Sequence, residues 1–138
     1  MRKKAKKSKS FLVWLLGLGL FLFFAFDPRL VVNSYTVTSD TLPAEFDGFT
    51  IVQITDLHCA RFGEQQKDLL ARVDKLSPDI IVLTGDIIDE NILDFEPVEE
   101  LVKGLTEKYP VYSVWGNHDR WLSRSDFRKL QEIYKAAG

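Results

Sequence analysis

DIIVLTGDIID, residues 79–89, carries the fold in its pattern. Its first six residues form a nearly continuous apolar run, as in a strand buried within a parallel sheet. The run breaks at Gly85 and then delivers two carboxylates, Asp86 and Asp89. Two other stretches have the same form. FTIVQITDLH, residues 49–58, is a strand that ends in Asp56 and His58, and VYSVWGNHD, residues 111–119, ends in Asn117, His118 and Asp119. Helical patterns lie between them. In residues 64–76, Leu69, Leu70, Val73 and Leu76 recur at spacings of three and four. Residues 97–108 open on a proline suited to a first turn and bury Val98, Leu101, Val102 and Leu105. Ser125 is expected to cap a last helix running to about Ala136, with Phe127, Leu130, Ile133 and Tyr134 inward. The order strand-helix-strand-helix-strand-helix predicts an α/β fold with a parallel sheet covered by helices. Upstream, residues 30–39 (LVVNSYTVTS) are rich in β-branched residues and read as a further strand, followed by a loop over 40–48.

Parallel strands bring their carboxyl ends to one edge, where open α/β sheets bind ligands. Taken alone, Asp56 and His58 read equally as a solvated turn and Asp86 and Asp89 as a helix cap or solvated loop, while an Asn-containing turn is the weaker reading of Asn117 and His118 beside Gly116. Three clusters at consecutive strand ends do not read that way. Carboxylate, imidazole and amide oxygen suit hard to borderline divalent cations. A D-x-H spacing lets two side chains leaving a strand reach one ion, and a carboxylate can bridge two. Two ions about 3.5–4 Å apart clamp the attacking and leaving oxygens of a phosphoryl transfer and make a water more acidic. Such chemistry also needs a histidine to protonate the leaving group and a carboxylate to orient it.

The N-terminus has a different character. Residues 1–10 carry six cations and no acid, so the remaining 128 residues hold twelve basic and twenty acidic side chains. An acidic body lacks the basic stripe that a nucleic-acid-binding face requires, and no nucleic-acid partner is expected. The cations precede FLVWLLGLGLFLFFAF, residues 11–26, sixteen uncharged residues. As a helix this run is about 24 Å long, slightly short of a bilayer core of about 30 Å, with Lys9 and Arg29 placed to snorkel. An uncleaved single-pass anchor is expected, with the basic head cytoplasmic and the body outside. A cleaved signal is the alternative, but Phe23 is bulky where cleavage wants a small residue. The expected organisation is therefore a basic head (1–10), an anchor (11–26), a strand and loop (27–48) and a catalytic portion (49–138). The lone cysteine, Cys59, excludes an internal disulfide and reads as a small loop residue.

The D-x-H, G-D-x-x-D and G-N-H-D blocks, in this order and at strand ends, resemble the calcineurin-like metallophosphoesterases. With the apolar leader and TDLH, RFGE, LTGDIID and VWGNHD, the wider sequence is similar to the bacterial YkuE/YaeI-type membrane-associated phosphodiesterases. The resemblance implies that these residues form the first half of a β-sandwich flanked by helices. It implies Asp56 and His58 as ligands of a first metal, Asp86 as the bridging carboxylate and Asn117 as an amide ligand of a second. It implies His118 as general acid or transition-state stabiliser and Asp89 as the partner orienting it. Two divalent ions are implied as cofactors; manganese, iron and zinc all occur in such sites.

Family members draw further ligands from a downstream histidine and a G-H-x-H block, yet this sequence contains only two histidines, His58 and His118. The portion is therefore expected to be truncated before those ligands, to bind a second metal poorly and to expose an apolar sheet face. The expected function is hydrolysis of a phosphoester at the cell envelope, with a phospholipid-like, lipid-linked or nucleotide-sugar lipid substrate. The alternatives are a membrane-anchored metal-binding remnant and an interaction protein, both without turnover. Around the site, Arg61, Phe62 and Gly63 read equally as substrate entrance or plain loop. Trp115 reads as core and Trp121 as either core or substrate stacking. The acids Asp94, Glu96, Glu99 and Glu100 read as a solvated helix start that suits the helix dipole.

Overall fold

The structure, a computed structural model, describes residue 11, residues 13–19 and residues 30–138. The chain divides into two units, Met1–Val37 and Thr38–Gly138. In the first, residues 13–19 are helical and exposed. Among the described residues no helix is long and apolar enough to cross a membrane. The basic head (1–10) and much of the expected anchor (12 and 20–26) lie outside the described residues.

Residues 30–39 do not form the expected strand. They are irregular, with Val31, Tyr35 and Val37 largely exposed. Strand propensity is realised only against a partner that supplies hydrogen bonds and a packing surface. Among the described residues none pairs with this segment, and the sheet has three strands.

Those strands are β1 (Ile51–Ile54), β2 (Ile80–Leu83) and β3 (Val111–Ser113). They are parallel and ordered β1-β2-β3, with Ile51 opposite Ile80 and Ile81 opposite Val111. The crossovers are α1 (Lys67–Asp74) and α2 (Glu96–Thr106), and after β3 come α3 (Asn117–Trp121) and α4 (Arg124–Ala137). Burial alternates along the sheet. Ile81 and Leu83 point into a core shared with Ile87, Ile88, Val98, Leu101, Leu105 and Leu130. The opposite face presents Ile51, Gln53 and Tyr112, all exposed. Among the described residues, helices thus cover one face of the sheet and leave the other open.

Three element boundaries depart from the sequence reading. The helix expected from residue 64 begins properly only at Lys67, because Gln65 (φ 55°) and Gln66 (φ 58°) are left-handed. Tertiary contacts hold that break. The fully buried Gln66 amide donates to Ala60 O (2.8 Å) and Pro97 O (3.2 Å) and accepts from Phe62 N (3.0 Å). The second departure is the cap of α4, which is Ser123 rather than Ser125: Ser123 Oγ accepts from Asp126 N at 3.2 Å. The third is α3, a short helix where only a polar strand end was expected.

Candidate metal centre

The site is built by two loops that keep pairing after their strands have ended. Thr84 N donates to Ile54 O (3.0 Å), Asp56 N to Gly85 O (3.2 Å), His58 N to Asp86 O (3.0 Å) and Cys59 N to Ile87 O (3.1 Å). To do this the chain takes left-handed backbone at Asp56 (φ 55°), His58 (φ 47°), Cys59 (φ 60°) and Asp86 (φ 55°). Each such residue costs about 1–2 kcal/mol. Strain of this kind persists where surrounding contacts over-determine it, commonly at functional sites.

Two glycines let the second and third loops touch. A Cβ on Gly85, itself at φ 97°, would meet the Gly116 backbone, and a Cβ on Gly116 would meet Asp86. Asp119 fastens that contact. It is almost fully buried, and its carboxylate accepts from Gly116 N (2.8 Å), Asp86 N (3.0 Å) and Ile88 N (3.4 Å). As the third residue of α3, reaching back to the backbone N–H before the helix, Asp119 makes half of a capping box. Asp119 closes the G-N-H-D block, and the sequence pattern by itself assigns it no task. The available signal was an acid three residues after a glycine at a helix start.

The expected ligands converge in part. His58, Asp86 and His118 each offer one donor atom, and the three atoms lie within 4.8 Å of one another. Tetrahedral donors on an ion with bonds of about 2.1 Å lie about 3.4 Å apart, so the three side chains would close around an ion to hold it. Asp86 Oδ1 also accepts from His118 N at 2.9 Å. The side-chain amide of Asn117 has one end 3.2 Å from Asp86 Oδ2 and the other 3.3 Å from His118 N. With nitrogen toward Asp86 the amide makes two hydrogen bonds; with oxygen there, two acceptors face each other as a shared cation would require. Asp56 stands outside the three-atom group. Its side chain is exposed, with Oδ1 3.8 Å from His58 Nε2 and Oδ2 accepting from Thr55 Oγ1 at 2.8 Å.

Two carboxylates line the other side of the histidines. Asp89 Oδ2 lies 3.3 Å from His58 Nδ1 and 4.0 Å from His118 Nδ1. Glu90 Oε2 lies 2.5 Å from His118 Nδ1. His118 therefore makes its hydrogen bond with Glu90, while the expected partner Asp89 is more remote. That contact, opposed by desolvation, raises the His118 pKa above its ordinary value. The Asp89 carboxyl is held below the usual range, first by the Asn91 backbone N–H. Despite its closeness to Asp89, His58 Nδ1 is buried without a hydrogen bond. An orphaned buried imidazole nitrogen, on a histidine that converges with Asp86 and His118, fits a site built for a cation. The two imidazoles meet edge to face at 4.5 Å, and Trp121, exposed rather than core, tilts over His118 at 5.0 Å.

The surrounding features resolve simply. Cys59 is buried, its thiol pushed up by desolvation, and its sulfur accepts from Asp89 N at 3.3 Å. Arg61 is tied to Asp94 (2.9 Å) and Glu96 (2.6 Å), so part of the acidic helix start is paired with the β1 loop rather than only solvated. Trp115 packs on Phe127 and Tyr134 at 5.2 and 5.1 Å, which joins β3 to α4.

This arrangement of strand-end donors has a match in sequence. A family profile described as calcineurin-like phosphoesterase covers residues 49–137. The chain belongs to the calcineurin-like phosphoesterases. It is 33% identical over 98 residues to the uncharacterized metallophosphoesterase YkuE of Bacillus subtilis (strain 168), covering 67% of this chain and 34% of that protein. It is 31% identical over 93 residues to the phosphodiesterase YaeI of Escherichia coli (strain K12), covering 65% and 34%. A Danio rerio protein named as a transmembrane protein with metallophosphoesterase domain is 26% identical over 101 residues, 72% of this chain and 23% of that one. The chain thus spans about a third of the length of the bacterial relatives. No solved structure matches it significantly. Members of this family are metal-dependent hydrolases of phosphoester bonds, and the His and Asp cluster of this calcineurin-like chain could hold a divalent ion.

Proposed function

We propose that this calcineurin-like portion contributes the first-metal ligands, the bridging carboxylate and the acid–base histidine of a two-metal phosphoester hydrolase. The observation that carries this reading is the convergence of His58, Asp86 and His118 donor atoms within 4.8 Å, from three separate strand ends. In this assignment Asp56 and His58 hold the first ion, Asp86 bridges and Asn117 reaches the second. Bound divalent ions would supply Lewis acidity toward a phosphoryl oxygen and a more acidic water. The residues do the rest: His118 holds a proton near the leaving oxygen, the Asp89–Glu90 pair keeps the histidines oriented, and the exposed Trp121 offers a stacking surface at the entrance. Both histidines of the sequence are used by this assignment, so further imidazole ligands for the second ion come from outside these 138 residues. Such a second half would also cover the open face of the sheet and complete the sandwich.

The same ligand count favours a second reading of these residues by themselves, as a metal-binding unit without turnover. Manganese titration of the chain with Asp86→Asn as comparison tests the assignment. One ion bound and lost on substitution is expected. Absence of binding, or binding indifferent to Asp86→Asn, would defeat it, and rapid turnover of bis(p-nitrophenyl) phosphate by the 138 residues alone would defeat the incomplete second site.

For location, the six-cation head and apolar run support a single-pass membrane anchor with the body outside the cytoplasm. A relative whose name includes a transmembrane protein lends the same support. A lipid-linked or cell-envelope phosphoester then suits the position of the site. Extraction of the chain from membranes by alkaline carbonate would count against the anchor.

A further inference from the structure

Asp89 and Glu90 follow one another in the loop after β2, and of the two only Glu90 makes a hydrogen bond to a histidine. The Asp89 carboxylate is fixed by a local turn, with Oδ1 accepting from Asn91 N at 2.8 Å. Its other oxygen is left facing His58 Nδ1 at 3.3 Å and stays 4.0 Å from His118. Glu90, one methylene longer, reaches His118 Nδ1 at 2.5 Å. We propose that Glu90 is the positioning residue of His118, fixing its ring through Nδ1 so that Nε2 is the working atom. The consequence for catalysis rests on the phosphoesterase reading; the contact itself does not.

A neutral imidazole carries one N–H and one lone pair, so an acceptor at Nδ1 selects the Nδ1–H tautomer and leaves Nε2 free. A bond to a carboxylate is roughly twice as strong as a neutral one, and it remains when the ring is protonated. The rest of His118 is already fixed. Its backbone N–H is spent on Asp86 Oδ1, and its ring lies between His58 and Trp121. Rotation about the side chain is the remaining freedom, and Glu90 removes it. Asp89, Glu90 and His118 also sit close enough to suggest a separate cation site. The Glu90–His118 contact argues against that, because at 2.5 Å no ion fits between the two atoms.

The chain has two histidines, which makes the test direct. The metal-free 138-residue chain, in detergent micelles and labelled with nitrogen-15 in its histidines, is read by long-range proton–nitrogen couplings at a pH where both rings are neutral. His118 is expected as the Nδ1–H tautomer in the wild type and in Asp89→Asn, and as Nε2–H in Glu90→Ala. If Glu90→Ala loses its shift dispersion and does not fold, Glu90→Met, similar in length but without an acceptor, decides in its place. An Nε2–H tautomer in the wild type, an Nδ1–H tautomer that survives loss of the Glu90 carboxylate, or one lost in Asp89→Asn overturns the proposal. The manganese titration separates the two readings. Expected tautomers with no metal binding would sink the phosphoesterase assignment alone, and unexpected tautomers with normal binding would sink the Glu90 role alone.

Discussion

At the residue scale, Asp119 is where the site and the fold meet. Its carboxylate accepts three backbone N–H groups, two of them on Asp86 and Gly116, which are the residues that must touch. Removing the acceptor leaves buried donors unsatisfied at about 1–3 kcal/mol each. Asp119→Ala is therefore expected to lower stability by roughly 2–4 kcal/mol, measured by urea unfolding, and to weaken manganese binding as Asp86 shifts. Stability within error of the wild type would show that Asp119 is not the clip. D-x-H, G-D-x-x-D and G-N-H-D were visible as letters, so the residue types of the site were legible. Which carboxylate bonds His118 was not. Asp89 and Glu90 are neighbours in sequence, and only the turn at Asn91 turns one away and lets the other reach.

At the element scale, α1 is joined to the approach of β3 by one carboxylate. Asp74 Oδ2 accepts from Lys108 Nζ at 2.6 Å, and Asp74 Oδ1 accepts from the Tyr109 hydroxyl at 2.9 Å. The Lys108 bond first, then that from Tyr109, lowers the Asp74 pKa in the folded chain. The folded state thus favours the ionised form. Its stabilising contribution is fully present above the unfolded value of about 3.9 and is lost as pH falls through the lower folded value. Asp74→Asn should reduce the melting temperature near neutral pH, with the gap to wild type closing below about pH 4. A gap that widened on acidification would contradict this linkage. The strands and helices themselves were legible because apolar periods of two and three to four survive in short windows. Two interruptions were not: Gln65 and Gln66 leave helical geometry for tertiary hydrogen bonds, and residues 30–39 have strand composition without a strand to pair with.

At the scale of the whole molecule, the decisive feature is a three-stranded sheet covered on one side. Ile51 and Tyr112 on the open face are both more than half exposed. Apolar surface of this kind promotes association. Tyr112→Lys, placed on that face away from the strand ends, is expected to reduce light scattering of the chain in micelles while leaving manganese binding unchanged. Unaltered scattering would place the association elsewhere. Metal binding acts on the whole molecule too. A ligand at a hundred times its dissociation constant stabilises by about 2.7 kcal/mol.

The sequence by itself determined the α/β alternation, the parallel sheet, the three polar strand ends and the family, because each is written in local periodicity and short spacings. It also determined the charge asymmetry between the basic leader and the acidic body. Tertiary structure alone decided the details of convergence: the left-handed turns at Asp56, His58 and Asp86, the close approach of Gly85 to Gly116, the burial of Asp119 and the pairing of Glu90 with His118. These depend on distances between segments about thirty residues apart, and no local pattern encodes them. DIIVLTGDIID thus announces a buried strand that ends in chemistry, but what Asp86, Asp89 and Glu90 each face is set by the loops that fold against it.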